Sequence, residues 1–340
     1  MPAALSATRA QILAFRRRVG ALDERLPRGR RSLRRAAWAG LQDSMPRAAS
    51  LSIHARVAKT TPTTWEDPSL VQLWGPRYSA YVVAVQDLAV FSLGRLPDDA
   101  KGRKRAEDAA DKVESVLGMD TKMGYGEVGA ALGVNANALR YGTTTGRLVI
   151  RWEGARQPTL WCVPPPPITP EDARLELARR YLHVFGPTTP TSFARWAGIT
   201  PRGGSVAFEA LAGSLVEVRT PIGDAWMLRA DESELRAAPG PDAPARLLPS
   251  GDAYFLLQGN DRKLLVPDAK RRAELWTTRV WPGALLVGGE IVATWRRANE
   301  QMAIQTWRRL SRAERDAVIQ EAESLPLPGL PGPIVTSWVP

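Results

Sequence analysis

Apolar positions along the chain fall into short blocks whose period switches from helical to extended, twice with the same layout. In GYGEVGAALGVNANALRYGTTTGRLVIRWEGARQPTLWCV (124–163) a helical pattern runs over 127–132 and stops at Gly133, and a second covers 135–141. Alternating β-branched residues at 147–152 and a strand at 158–163 then flank a tight turn at Gly154 and Ala155. The stretch TPTSFARWAGITPRGGSVAFEALAGSLVEVRTPIGDAWML (189–228) repeats the plan. A helix at 192–197 ends at Gly198, a turn holding Pro201 leads to a helix at 205–212, and strands at 215–219 and 225–228 bracket Gly223. In both copies a Trp on the last strand follows the helix-ending Gly by 28 residues, Gly133 to Trp161 and Gly198 to Trp226. Two helix–turn–helix–hairpin units in matching register predict tandem winged helices.

The flanking segments extend this plan. Strands at 70–74 and 78–83 around Gly75, Pro76 and Arg77 read as the wing of a divergent first unit. The segment 97–111 reads as a linker running into a helix, and the proline run 164–167 and the Pro/Ala-rich 236–245 read as breaks. The tail offers short strands at 254–257, 264–266, 284–287, 291–295 and 302–307, with Gly288 and Gly289 as a two-residue hairpin turn. A polar helix at 311–324 opens on the capping box of Ser311 and Glu314. The expected fold class is therefore α+β: three tandem winged-helix units followed by a small C-terminal β-barrel. The expected divisions are 1–97, 98–167, 168–235 and 246–325.

Composition narrows the function class. With 44% hydrophobic and 24% charged residues the 340-residue chain is an ordinary globular protein rather than a disordered one. No apolar run is long enough to span a membrane and no apolar signal core opens the chain, so a cytoplasmic location is expected. The lone Cys162 excludes an intrachain disulfide. His54 and His183 with Cys162 make a poor ligand set, so no metal and no cofactor are expected, and each histidine reads as a packed structural residue. The twelve tryptophans read mainly as core. No phosphate-binding glycine loop or nucleophile elbow is present; the glycines at 142 and 146 fall in a helix-to-wing turn.

Charge is uneven. Residues 1–57 carry twelve arginines against Asp23, Glu24 and Asp43, a net +9 of the chain's +11. That field points to a polyanion, double-stranded DNA, and the alternative is a solvated basic face. A protein–protein adaptor is the third class, and the basic end argues against it.

Five stretches resemble the AlkZ/YcaQ family of bacterial winged-helix proteins, several of which are DNA glycosylases acting on alkylated or crosslinked DNA. They are LQDSMPRAASLSIHAR (41–56), WEDPSLVQLWGPR (65–77), RYLHVFGPTTPTSFARWAGI (180–199), RLLPSGDAYFLL (246–257) and PGALLVGGEIVATWR (282–296). The resemblance implies winged helices arranged around duplex DNA, with a hairpin of the C-terminal barrel approaching it. It also implies a catalytic motif of Gln, one residue, then Gln or Asp. Pro46 sets the register: Gln42 takes the first place, Ser44 the second, and Asp43 lies between. The family's arginine before the second wing strand is Arg77, and its following Thr-Leu-His is Ser79, Ala80 and Tyr81 here.

Such a motif suits excision of N7-alkylpurines, because alkylation makes the base a good cationic leaving group. The protein must then orient a water and support charge developing on the sugar. Gln42, Asp43 and Ser44 are the candidate catalytic residues; if 41–44 is helical, Asp43 and Ser44 point about 100° apart. Arg30, Arg31, Arg34, Arg35, Arg47, Arg77 and Arg296 are the candidate DNA contacts. Two readings follow, a monofunctional alkylpurine DNA glycosylase and a catalytically silent duplex binder serving as regulator or lesion sensor. Either is expected to be a monomer associated with the nucleoid.

Overall fold

The computed structural model describes residues 5–45, 47–154, 157–240, 243–329 and 332–339. Pro46 and Ala155 lie outside the described residues. Within them the chain is a mixed α and β structure whose strands form three sheets.

The chain begins with β1 (Leu5–Ser6) and α1 (Arg9–Val19). Thr8 caps α1 reciprocally with Gln11, and Ile12, Phe15 and Val19, three and four residues apart, form its buried face. Next come α2 (Arg30–Ala36), β2 (Leu41–Gln42), α3 (Ala48–Arg56), β3 (Leu70–Trp74), β4 (Ala80–Ala84) and α4 (Leu88–Ser92). They are followed by α5 (Ala100–Leu117), β5 (Met123–Gly124), α6 (Tyr125–Ala131), β6 (Leu148–Arg151) and β7 (Thr159–Cys162). The hairpins β3–β4 and β6–β7 share one antiparallel sheet of order β2-β4-β3-β6-β7-β5, joined where Gln72 faces Ile150.

Beyond it lie α7 (Pro170–Phe185), α8 (Pro190–Ala197), α9 (Pro201–Ala210), β8 (Leu215–Thr220), β9 (Gly223–Leu228) and α10 (Glu232–Arg236). Both α8 and α9 start with a Thr cap and Pro at the first helical position, and α8 stops at Gly198, whose φ is +74°. β1 adds in parallel to β8, so Ile12 and Phe15 of α1 pack on Val218 and Met227. Trp161 on β7 and Trp226 on β9 both stand on the second hairpin strand, facing Val149 and Glu217 across it.

The last part holds β10 (Arg246–Leu248), α11 (Asp261–Leu265), α12 (Ala269–Leu275), β11 (Gly283–Val287), β12 (Glu290–Ala298), β13 (Gln301–Thr306), α13 (Arg312–Glu323) and β14 (Val335–Val339). Gly288 and Gly289, both at positive φ, make the tight β11–β12 turn, and the Ser311–Glu314 capping box forms as read.

Three expectations are corrected. The tail is no barrel: β10 to β14 form an open five-stranded sheet whose outer strands do not pair with each other. Val318 and Ala322 of α13 pack in one core with Leu285, Ala293 and Ile304 of that sheet. The segments 254–257 and 264–266 are not strands; a 3-10 turn (Ala253–Phe255) and α11 replace them. The Asp252 carboxylate accepts from Tyr254 N at 2.9 Å and starts the turn, and short apolar runs carry no period that separates strand from buried helix. Finally, the second helix of the 124–163 unit is 3-10 in form, Ala136–Thr145. Thr143, Thr144 and Thr145 each donate a hydroxyl to the carbonyl three residues back, at 2.6–2.9 Å. Gly142 lies so close to α5 that a Cβ there would stand 2.9 Å from Ala110 N.

Candidate nucleic-acid interface

Residues 41–43 are extended rather than helical, because Leu41 and Gln42 pair with Val82 and Tyr81 of β4 and Asp43 N donates to Ala80 O at 2.7 Å. Extended backbone alternates its side chains. Leu41 and Asp43 point inward and are buried, while Gln42 is half-buried and Ser44 exposed. Gln42 and Ser44 are thus brought together: Gln42 Nε2 donates to Ser44 Oγ at 2.5 Å. Arg77 Nη2 approaches Gln42 Oε1 at 3.5 Å. Gly251, in the loop after β10, backs the carboxamide; its φ is +77°, and a Cβ there would stand 3.1 Å from Gln42 Cδ.

Asp43 lies on the other side. Its Oδ1 accepts from Ala49 N at 3.0 Å, capping α3, and its Oδ2 accepts from Gln72 Nε2 at 2.7 Å. Gln72 Oε1 in turn accepts from Trp152 N at 2.7 Å. Burial raises the Asp43 carboxyl to about 7, against the opposing pull of Ala49 N–H, Arg47 and Gln72. Asp43 therefore ties β2, α3 and the end of β6 together beneath the surface on which Gln42 and Ser44 stand.

The turns beside this pair are strained. Arg47, Arg77 and Tyr78 all have φ between +54° and +67°, a region costly for residues bearing a Cβ. Gly198 seats the second turn: a Cβ there would come within 3.1 Å of Arg77 N.

Two clefts open on either side. One, of about 370 Å³, is lined by Ser44, Trp74, Arg77, Tyr78, Arg140 and Trp152 among others. The second, about 170 Å³, is lined by Met45, Ser250, Val280, Trp281, Arg296 and Arg297 among others. No carboxylate lines either among the described residues, and every charged lining group is an arginine. A larger cleft of about 470 Å³ carries Glu153, and cations already cover its ring faces. Arg151 sits 4.1 Å from the Trp65 centroid and Lys122 4.8 Å from that of Trp161. It lacks the uniform charge of the other two.

The arginines counted along the sequence divide into two groups. Arg9 pairs with Glu290, Arg17 with Asp23, Arg18 with Glu234, Arg25 with Glu321 and Arg56 with Asp252. Arg16 is buried and donates to the carbonyls of Phe185, Gly186 and Pro187 that end α7. Arg34 forms two bonds to Asp87, at 3.0 and 2.8 Å. Of the candidate DNA contacts, Arg30, Arg31 and Arg35 are exposed on α2, Arg47 stacks on Trp65 at 4.8 Å, and Arg296 donates to Val280 O at 2.9 Å. Arg77 stands at Gln42. Six of the twelve N-terminal arginines, Arg9, Arg17, Arg18, Arg25, Arg34 and Arg56, are thus paired with carboxylates, and the cationic surface at Gln42 is assembled from distant segments. Arg140, Trp152 and Gly251 were missed in the sequence; only the PSG turn at 249–251 carried a local signal, for Gly251.

His54 bridges Thr60 Oγ1 and Ser324 Oγ, and burial with Arg25 and Arg246 nearby lowers its pKa to about 3, so it is neutral. His183 contacts Asp231 at 3.0 Å. Among the described residues no group of three or more His, Cys, Asp or Glu side chains is arranged to hold a metal, and no helix is long and apolar enough to cross a membrane.

Comparison with solved structures finds the Streptomyces sahachiroi DNA glycosylase AlkZ at 18% sequence identity and a TM-score of 0.77, covering 98% of this chain and 100% of that one. At that identity the likeness speaks for the fold. No curated protein sequence matches. The family model for AlkZ-like DNA glycosylases matches residues 33–326, nearly the whole chain. The chain belongs to the AlkZ-like DNA glycosylase family.

Proposed function

We propose that this protein binds duplex DNA and hydrolyses the N-glycosidic bond of N7-alkylated purines. One observation carries the reading: the half-buried carboxamide of Gln42 is held between Ser44, Arg77 and Gly251, and the neighbouring Ser44 and Met45 line two clefts whose charged lining groups are all arginines. Such a surface attracts phosphates, and phosphate contacts position a protein on a duplex. The helix–helix–hairpin segments act as winged-helix units within 1–97, 98–167 and 168–235, and 246–325 adds the hairpin that reaches the duplex. Arg30, Arg31, Arg35, Arg47, Arg77 and Arg296 supply the phosphate contacts.

The chemistry asked of the site is small. In an N7-alkylpurine nucleotide the bond between N9 and C1′ breaks, and its electron pair neutralises the cationic base. A water oxygen bonds to C1′ and its proton leaves to solvent. Gln42 Oε1 accepts a hydrogen bond from that water. Ser44 Oγ, already accepting from Gln42 Nε2, holds the carboxamide in place. Asp43 acts as a positioning residue, since its carboxylate is engaged by Ala49 N and Gln72 beneath the surface.

That engagement also favours the second reading, a duplex binder without excision, because no carboxylate faces the water to take its proton. One paired experiment separates them: release of free N7-methylguanine from a duplex by wild type, Gln42→Ala and Ser44→Gln. The enzyme reading expects release that falls at least about 10²-fold in Gln42→Ala, the usual cost of one well-placed polar group, with duplex affinity within a few-fold. Release gained only in Ser44→Gln marks a silenced enzyme, and none in any variant marks a binder. Full activity in Gln42→Ala refutes the site.

A further inference from the structure

Large apolar side chains left exposed on a folded protein are informative when they cluster. Two of them, Met45 and Val280, at 37% and 47% exposure, line the same cleft beside Gln42. Their exposure is not looseness. Val280 O accepts from Thr277 Oγ1 at 3.0 Å and from Arg296 Nη2 at 2.9 Å, so its backbone is tied down while its side chain faces out. Met45 follows Ser44 directly, two residues after Asp43, whose carboxylate is fixed to α3. The charges lining the cleft are Arg296 and Arg297.

Water is a poor neighbour for both side chains, and an arginine rim attracts an anionic partner. An apolar tip framed by cations fits a stack of bases framed by phosphates. We propose that Met45 is a wedge that enters the base stack of duplex DNA beside the nucleotide held at Gln42, with Val280 supporting it from the facing loop. A nucleotide drawn out of a duplex leaves a gap, and refilling it offsets the lost stacking. Methionine suits the gap: it is unbranched, adapts its shape, and its polarisable sulfur packs well against aromatic rings. The proposal rests on the reading of this surface as duplex-binding.

The test uses the full-length protein and a duplex carrying 2-aminopurine next to a 2′-fluoro-N7-methylguanine nucleotide, whose glycosidic bond resists cleavage. Wild type is expected to raise the 2-aminopurine fluorescence several-fold as the neighbouring base loses its stacking partner. Met45→Ala should lose most of that rise, Met45→Leu should keep it, and Val280→Ser should fall between. The thermal unfolding midpoint should stay near wild type in all three, since both side chains are exposed. An equal fluorescence rise in wild type and Met45→Ala overturns the wedge while leaving duplex binding intact. Absence of duplex binding in wild type overturns the underlying reading and the wedge with it.

Discussion

Gly251→Ala is the most direct probe of how the fold presents Gln42. The residue has φ of +77°, where an alanine costs about 1–2 kcal/mol of backbone energy. Its Cβ would also stand 3.1 Å from Gln42 Cδ, 3.3 Å from Nε2 and 3.5 Å from Cβ. The carboxamide must yield by a few tenths of an ångström. Misplacement of a reacting group by 1 Å can lower a rate about 10²-fold, so roughly tenfold is expected here. The assay is single-turnover release of N7-methylguanine, with duplex affinity and thermal unfolding measured in parallel. Gly288→Ala is the control, because its φ of +59° carries the same backbone cost while nothing lies within 4 Å of an added Cβ. Both variants should lose a few degrees in unfolding midpoint, and only Gly251→Ala should lose rate. A rate in Gly251→Ala equal to that of Gly288→Ala would refute the idea that this glycine positions Gln42.

Two further outcomes are expected. The Asp43 carboxyl is raised to about 7, so between the unfolded-state value near 4 and that value the native state binds the extra proton, and stability falls as pH rises across the window. Asp43→Asn should remove that slope, gaining on wild type by roughly 3 kcal/mol from pH 4 to pH 7 in denaturant titrations; parallel curves would show that the carboxyl does not titrate there. Arg34 and Arg35, neighbours in sequence, should separate in function: Arg35→Ala should reduce the dependence of log affinity on log salt by about 0.9, as one lost phosphate contact does. Arg34→Ala should leave that slope unchanged and lower the unfolding midpoint, because Arg34 holds Asp87, and equal slope changes in the two would contradict the division.

What could be read from the sequence was local. The stops at Gly133 and Gly198, the glycine pair turning β11 into β12, and the Ser311–Glu314 cap each depend on partners within about four residues, and all of them form. Gln42 and Ser44 were also legible, through the resemblance of 41–56 to a family motif. The tertiary structure decided the rest. Only pairing with β4 makes 41–43 extended and sends Asp43 inward, and the bend that follows brings Ser44 to Gln42. Apolar runs at 254–257 and 264–266 had no period to tell strand from turn or helix, because burial is non-directional. The arginine excess looked like a DNA-facing field, yet Arg9, Arg25 and Arg56 find acids 281, 296 and 196 residues away. An ion pair depends on proximity in space, which composition along a chain does not record, so the sequence set the amount of charge and the fold set where it faces.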